Sequence, residues 1–113
     1  MAGPLCILAI CLAAGIPVWD GDTILRGPDR IRIAGIQAPE LSEPGGIESR
    51  DHLRALIAGR PLACDEHGRD RYGRRVATCY LPDGQDIACE MVAAGHARDW
   101  LRYSKGKYAG CNR

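Results

Sequence analysis

Neither sign of charge dominates this chain. Its 113 residues carry 15 Lys and Arg against 14 Asp and Glu, a net charge of +1. Overall charge therefore does not point to a polyanion; any such surface has to come from local clustering. No C-x-x-C pair occurs among the six cysteines, which argues against a structural zinc site. There is no internal repeat and no low-complexity segment. The longest apolar run, Pro4 to Ala14, is too short for a transmembrane helix, so no stable membrane insertion is expected. The length suits one small domain, 1–113, with a modest core.

What is present is organised around Val18-Trp19-Asp20-Gly21-Asp22-Thr23 and the arm Arg30-Ile31-Arg32-Ile33-Ala34-Gly35-Ile36-Gln37-Ala38-Pro39-Glu40. Ile24 and Leu25 climb one strand, and Gly27-Pro28-Asp29 is a turn signal. Ile31, Ile33 and Ile36 give the return strand its apolar side. Arg30 and Arg32 alternate with them, as expected where one sheet face is wet. The hairpin thus gathers an acid at its entry, Asp22, a cation on its return, Arg32, and an acid beyond its end, Glu40. Arg69-Asp70-Arg71-Tyr72-Gly73-Arg74-Arg75 adds a second basic cluster around an aromatic. Carboxylates with paired arginines suit a metal ion and a phosphodiester.

Taken singly, each feature has a bland reading. Asp20 and Asp22 suit Asx turn caps, Arg32 a strand surface, Glu40 a loop in solvent, and Tyr72-Gly73 a plain hairpin turn. In combination the blocks D-G-D-T, R-I-A-G-I-x-A-P-E and D-R-Y-G-R, in this order, resemble the staphylococcal nuclease (thermonuclease) family from about Val18 to about Tyr103. The resemblance implies an α+β, mainly β fold: a five-stranded OB-type barrel with two helices. It also implies hydrolysis of DNA and RNA with little sequence specificity, by a monomer that uses one Ca²⁺.

Carried over by position, Asp22 and the Ala38 carbonyl are calcium ligands. Arg32 and Arg74 hold the phosphate, and Glu40 is the general base or the group that positions the water. Arg71 and Tyr72 line the nucleotide pocket, and Tyr103 stacks on a base. Gln37 stands where relatives carry a second metal-binding aspartate. Its amide oxygen can still coordinate, but a full negative charge is lost, so calcium is expected to bind weakly. The rival class is a nuclease-like OB domain that binds nucleic acid or a protein partner without efficient cleavage.

The rest of the chain fits that plan. A helix is expected over 47–58, a strand over 62–66, a turn at 69–73, a strand over 75–81 and a second helix over 87–94, closed by Gly95. Relatives continue into a third C-terminal helix, which is expected to be missing here. Residues 1–14 keep two readings: a degenerate export signal, lacking the basic residues that usually precede its apolar part, or the barrel's first strand. An exported protein would pair its cysteines in disulfides, in one of many connectivities; otherwise they are small buried thiols. A secreted or periplasmic location is preferred, with the cytoplasm left open.

Overall fold

Three hairpins and one parallel pairing set the architecture, and the computed structural model describes it over Cys6, Leu8 and residues 10–111. The strands are β1 (Ile10–Leu12), β2 (Val18–Asp20), β3 (Thr23–Arg26), β4 (Asp29–Ile33), β5 (Ile36–Gln37), β6 (Leu62–Arg69), β7 (Arg75–Tyr80) and β8 (Arg98–Asp99). Helix α1 (Gly46–Ile57) lies between β5 and β6, and α2 (Ile87–Ala93) between β7 and β8. A one-turn α3 (Leu101–Ser104) and a 3-10 turn (Ala109–Cys111) follow. The main sheet has the order β1-β6-β7-β4-β3-β2 and curls into a half-barrel, the α+β OB-type plan. The β3–β4 hairpin closes at Gly27-Pro28, with Ile24 opposite Ile31 and Arg26 opposite Asp29. β4 then runs parallel to β7. Parallel neighbours need a long crossover, and α1 with β6 supplies it.

The chain has no phenylalanine, so its core is aliphatic. Ile24, Ile31, Ile33, Ile36, Leu53, Ile87 and Met91 are fully buried together. Disulfides add to this small core. Cys64–Cys79 joins facing residues of β6 and β7, and Cys89–Cys111 ties the 3-10 turn to α2. Cys6–Cys11 closes the third pair, and no cysteine among the described residues is free. Ile10–Leu12 pair with Cys64–Leu62. The rest of the apolar run up to residue 9, apart from Cys6 and Leu8, lies outside the described residues.

Three local expectations are corrected. Ile36 does not continue the return strand. The chain turns at Gly35, with φ at 80°, and Ile36–Gln37 leave the main sheet to pair with Arg98–Asp99. That departure changes Arg32. Its strand face is not wet, because the small β5–β8 sheet and Trp100 cover it, and Arg32 is only 8% exposed. The C-terminal segment is not devoid of helix. It forms the one-turn α3, then packs Tyr108 into the core, with its hydroxyl donating to Asp86 Oδ2 at 2.7 Å.

Candidate active site

The hairpin corner Asp20-Gly21-Asp22 is wedged against α1. A Cβ on Gly21 would lie 1.8 Å from Ser49 Oγ and 2.8 Å from Ala38 Cβ, so only glycine fits. Ser49 is itself buried and donates to the His96 carbonyl at 2.7 Å. This closeness carries the Asp22 carboxylate inward. Its Oδ2 accepts the Ala38 N–H at 2.9 Å and lies 3.3 Å from Arg32 Nη2; its Oδ1 accepts from Thr23 Oγ1 at 3.2 Å. Asp20 Oδ1 accepts the Asp22 N–H at 3.1 Å. Arg32 donates to the Ile33 carbonyl at 2.5 Å and to the Ile36 carbonyl at 2.8 Å. Burial pushes the Asp22 carboxyl up to about 6; Arg32 opposes that rise and Asp20 adds to it.

A few residues further on, the surroundings are wet. Glu40, Arg74, Tyr72 and Gly73 line one open cleft of about 530 Å³ with Pro28, Asp29 and Arg30. The base of α1 fixes the backbone at Glu40: a Cβ on Gly46 would sit 1.9 Å from the Glu40 carbonyl oxygen. The Glu40 N–H donates to Glu43 Oε1 at 2.6 Å. Across the cleft the 69–75 turn is built on Asp70, which accepts the backbone N–H of Tyr72 and of Arg74, each at 2.9 Å. Asp70 Oδ2 also holds Arg74 Nε at 2.7 Å. Burial raises the Asp70 pKa, but those N–H groups and the Arg74 guanidinium outweigh it and leave the acid below its ordinary value. Tyr72 is 70% exposed, with the guanidinium groups of Arg71 and Arg74 5.1 and 5.5 Å from its ring centre.

The residues singled out in the sequence thus fall into neighbouring groups. Glu40, Tyr72 and Arg74 share the cleft, with Arg71 at its edge. Asp22, Arg32 and Ala38 share the buried corner. Gln37 is half-buried; with Ala38, Glu43, Glu48, His96 and Arg98 it lines a second hollow of about 630 Å³. Its neighbours Ile36 and Ala38 both touch the buried corner through their backbones. Tyr103 lies on α3 and not in the cleft; its ring meets Trp100 edge-on at 4.4 Å, and Trp100 in turn sits under the Arg32 guanidinium at 5.6 Å. Sequence reasoning missed Ser49 and Gly46 as supports. Only their contacts reveal them, because a serine and a glycine near a helix start are ordinary.

The buried corner suits a hard cation, with limits. Two buried carboxylates, Asp20 and Asp22, share it with one buried guanidinium. The Asp22 pKa is raised by burial first, with Arg32 opposing the rise and Asp20 adding to it. The donors are oxygens, which suit Ca²⁺ or Mg²⁺ and not a soft metal. Against that, no cluster of three His, Cys, Asp or Glu side chains among the described residues is placed to hold a metal ion. By donor type the corner suits a weakly held cation, while the Gln37 side chain borders the second hollow.

Residues 30–111 match the family model described as Staphylococcal nuclease homologue. The chain is 41% identical over 103 residues to a succinoglycan biosynthesis protein, ExoI, of Rhizobium meliloti, covering 81% of this chain and 54% of that protein. It is 39% identical over 93 residues to an uncharacterized endonuclease of Escherichia coli O157:H7, covering 79% and 61%. A probable staphylococcal-like nuclease, CAN1, of Oryza sativa subsp. japonica is 33% identical over 90 residues, covering 80% and 27%. The chain spans little more than half the length of the first two relatives. With the match running through the 69–75 turn, the A-P-E loop and α1, this chain belongs to the staphylococcal nuclease homologue family.

Proposed function

We propose that this domain is a divalent-cation-dependent nuclease that hydrolyses phosphodiester bonds of DNA and RNA with little sequence specificity. The observation that carries the proposal is the shared cleft: an exposed carboxylate, Glu40, and a positioned guanidinium, Arg74, face one opening beside an exposed tyrosine. Glu40 takes the proton of the attacking water as it bonds to phosphorus, while the P–O bond to the leaving sugar oxygen breaks and that oxygen takes a proton from water in the open cleft. Arg74 meets the charge that builds on the phosphoryl oxygens; the Asp70 clamp holds it ready. Arg32 gives two bonds to carbonyls and has donors left over; we assign these to the phosphate from the buried side. Tyr72, with Arg71, receives a base by stacking, which tolerates any base, and Tyr103 serves as a further stacking group. A calcium ion held at Asp22, Ala38 and Gln37 would supply positive charge to the phosphate oxygens when bound.

In this proposal residues 1–113 form one domain acting as a monomer, and the three disulfides support an oxidising compartment, outside the cell or in a periplasm. One observation favours a second reading, a domain that binds nucleic acid but cleaves it poorly: with Gln37 where relatives carry an acid, no third carboxylate joins the buried corner among the described residues. Cleavage of single-stranded DNA and of RNA, with calcium and with EDTA, decides between them. The nuclease reading expects calcium-dependent cleavage, lost in Glu40→Gln; binding without cleavage at any calcium concentration supports the second.

A further inference from the structure

Beyond the cleft, on the outer face of the β2–β3–β4 meander, an unassigned pair stands out. Trp19 is 45% exposed on β2 although it is the largest apolar side chain on that strand. The Arg30 guanidinium of β4 lies 4.5 Å from its ring centre. Arg30 also lines the cleft that holds Glu40, Tyr72 and Arg74. The cleft is therefore lined by one cation-capped aromatic, Tyr72, and reaches a second, Trp19, through Arg30. Tyr72 carries Arg71 and Arg74, and Trp19 carries Arg30, the residue that joins it to the cleft. Neither tryptophan nor arginine serves the aliphatic core here, since both side chains are exposed.

We propose that Trp19 and Arg30 form a second nucleotide subsite, in which the indole stacks on a base and the guanidinium contacts the neighbouring phosphate. This rests on the nuclease reading for the identity of the ligand, single-stranded nucleic acid. The chemistry is that of non-specific single-strand grooves: successive aromatic faces for bases, with cations along the backbone. A duplex cannot use such a site without unpairing, because its bases face each other. The subsite thus favours single strands, and it favours those long enough to reach from Tyr72 past Arg30 to Trp19.

The test measures affinity for single-stranded thymidine oligonucleotides of two and of eight residues, in EDTA so that none is cleaved, for wild type, Trp19→Ala, Trp19→Tyr and Arg30→Gln. The octamer should bind wild type more tightly than the dimer. Trp19→Ala should erase most of that advantage, by roughly five- to a hundredfold, the worth of one base–aromatic stack. Trp19→Tyr should recover part of it, and Arg30→Gln should lower the salt dependence of octamer binding. A length advantage equal in wild type and in folded Trp19→Ala overturns the subsite and leaves the nuclease reading intact if wild type cleaves. A Trp19-dependent advantage in a protein that never cleaves keeps the subsite and sinks the catalytic reading. No binding to either oligonucleotide overturns the subsite, and the cleavage assay with calcium then decides the nuclease reading separately.

Discussion

Asp22 and Glu40 are the two acids assigned to the proposed site, and they lie in opposite media. Asp22 is buried, accepts an N–H and a hydroxyl, and shares a corner with Arg32. Glu40 faces an open cleft with its carboxylate in reach of solvent. The contrast separates two jobs. A buried charge is held by partners that it also holds, so removing one strands the other. An exposed charge costs little to keep and acts on whatever enters. Removing the corner's cation, Arg32, should therefore unfold the protein, and substitutions in the cleft should stop chemistry in a folded one.

The sharpest way to break that contrast is Arg32→Ala. It leaves Asp22 without its guanidinium and the Ile33 and Ile36 carbonyls without their donor. Removing one partner of a buried pair costs about 3–5 kcal/mol, a large part of the stability of a small domain. Thermal melting should show Arg32→Ala largely unfolded or strongly destabilised, with activity lost for that reason. A variant that melts like wild type would place Arg32 outside the structural corner.

Glu40→Gln and Arg74→Ala are the opposite case. Each should lower the cleavage rate by at least about a hundredfold, the scale of losing a general base or a transition-state donor. Melting of Glu40→Gln should be unchanged, because its side chain is exposed. Arg74→Ala gives up the half-exposed pair with Asp70, worth no more than about 1 kcal/mol, so it should stay folded. Wild-type rates in either purified variant would remove that residue from the reaction.

The same contrast explains what could be read in the sequence. Helix α1, β6, β7 and α2 announce themselves by apolar spacing and by Gly59, Pro61 and Gly95. The cleft was legible because its parts lie in short motifs: D-R-Y-G-R makes its own turn through Asp70, and A-P-E is local. The corner was not, because its burial is made by distant chain. Arg32 looks exposed by strand alternation, yet residues 98–100 return to cover it. Gly21 looks like a turn glycine, yet Ser49 of α1 dictates it. Tyr103 was assigned to the bases by its position in the family pattern, and α3 sets it outside the cleft, edge-on to Trp100.

A pH series isolates the cost of keeping Asp22 ionised. Its folded pKa, about 6, lies above the ordinary 3.8, chiefly through burial. The folded state therefore binds that proton more tightly than the unfolded chain does. The stability from this group is fully present below about pH 4 and is lost as pH rises through about 6, by something on the order of 2–3 kcal/mol. In EDTA, the difference in melting temperature between Asp22→Asn and wild type should grow in favour of the variant over that window. Calcium should shrink the difference at pH 7 by binding only the folded wild type. A difference that stays flat from pH 4 to 8 would mean that Asp22 ionises without penalty.

The smallest expected effect probes the border between the two regions, at Gln37. Its backbone neighbours on both sides touch the buried corner, while its side chain borders the second hollow. If its amide oxygen belongs to the cation's holders, Gln37→Asp restores a charge, and calcium affinity rises with the count of charged ligands. At an effective dielectric near 20, with partial access of solvent, that contact is worth on the order of 1–3 kcal/mol, roughly ten- to a hundredfold in calcium affinity. Calorimetry should show tighter calcium binding, and cleavage should saturate at lower calcium. A different outcome is built into the fold, because Arg98 is the cross-strand partner of residue 37. An aspartate that turned to Arg98 would raise melting temperature slightly in EDTA and leave calcium affinity unchanged. That result would take residue 37 out of the metal shell and leave Asp22 as the only acid among the three groups proposed to hold the ion.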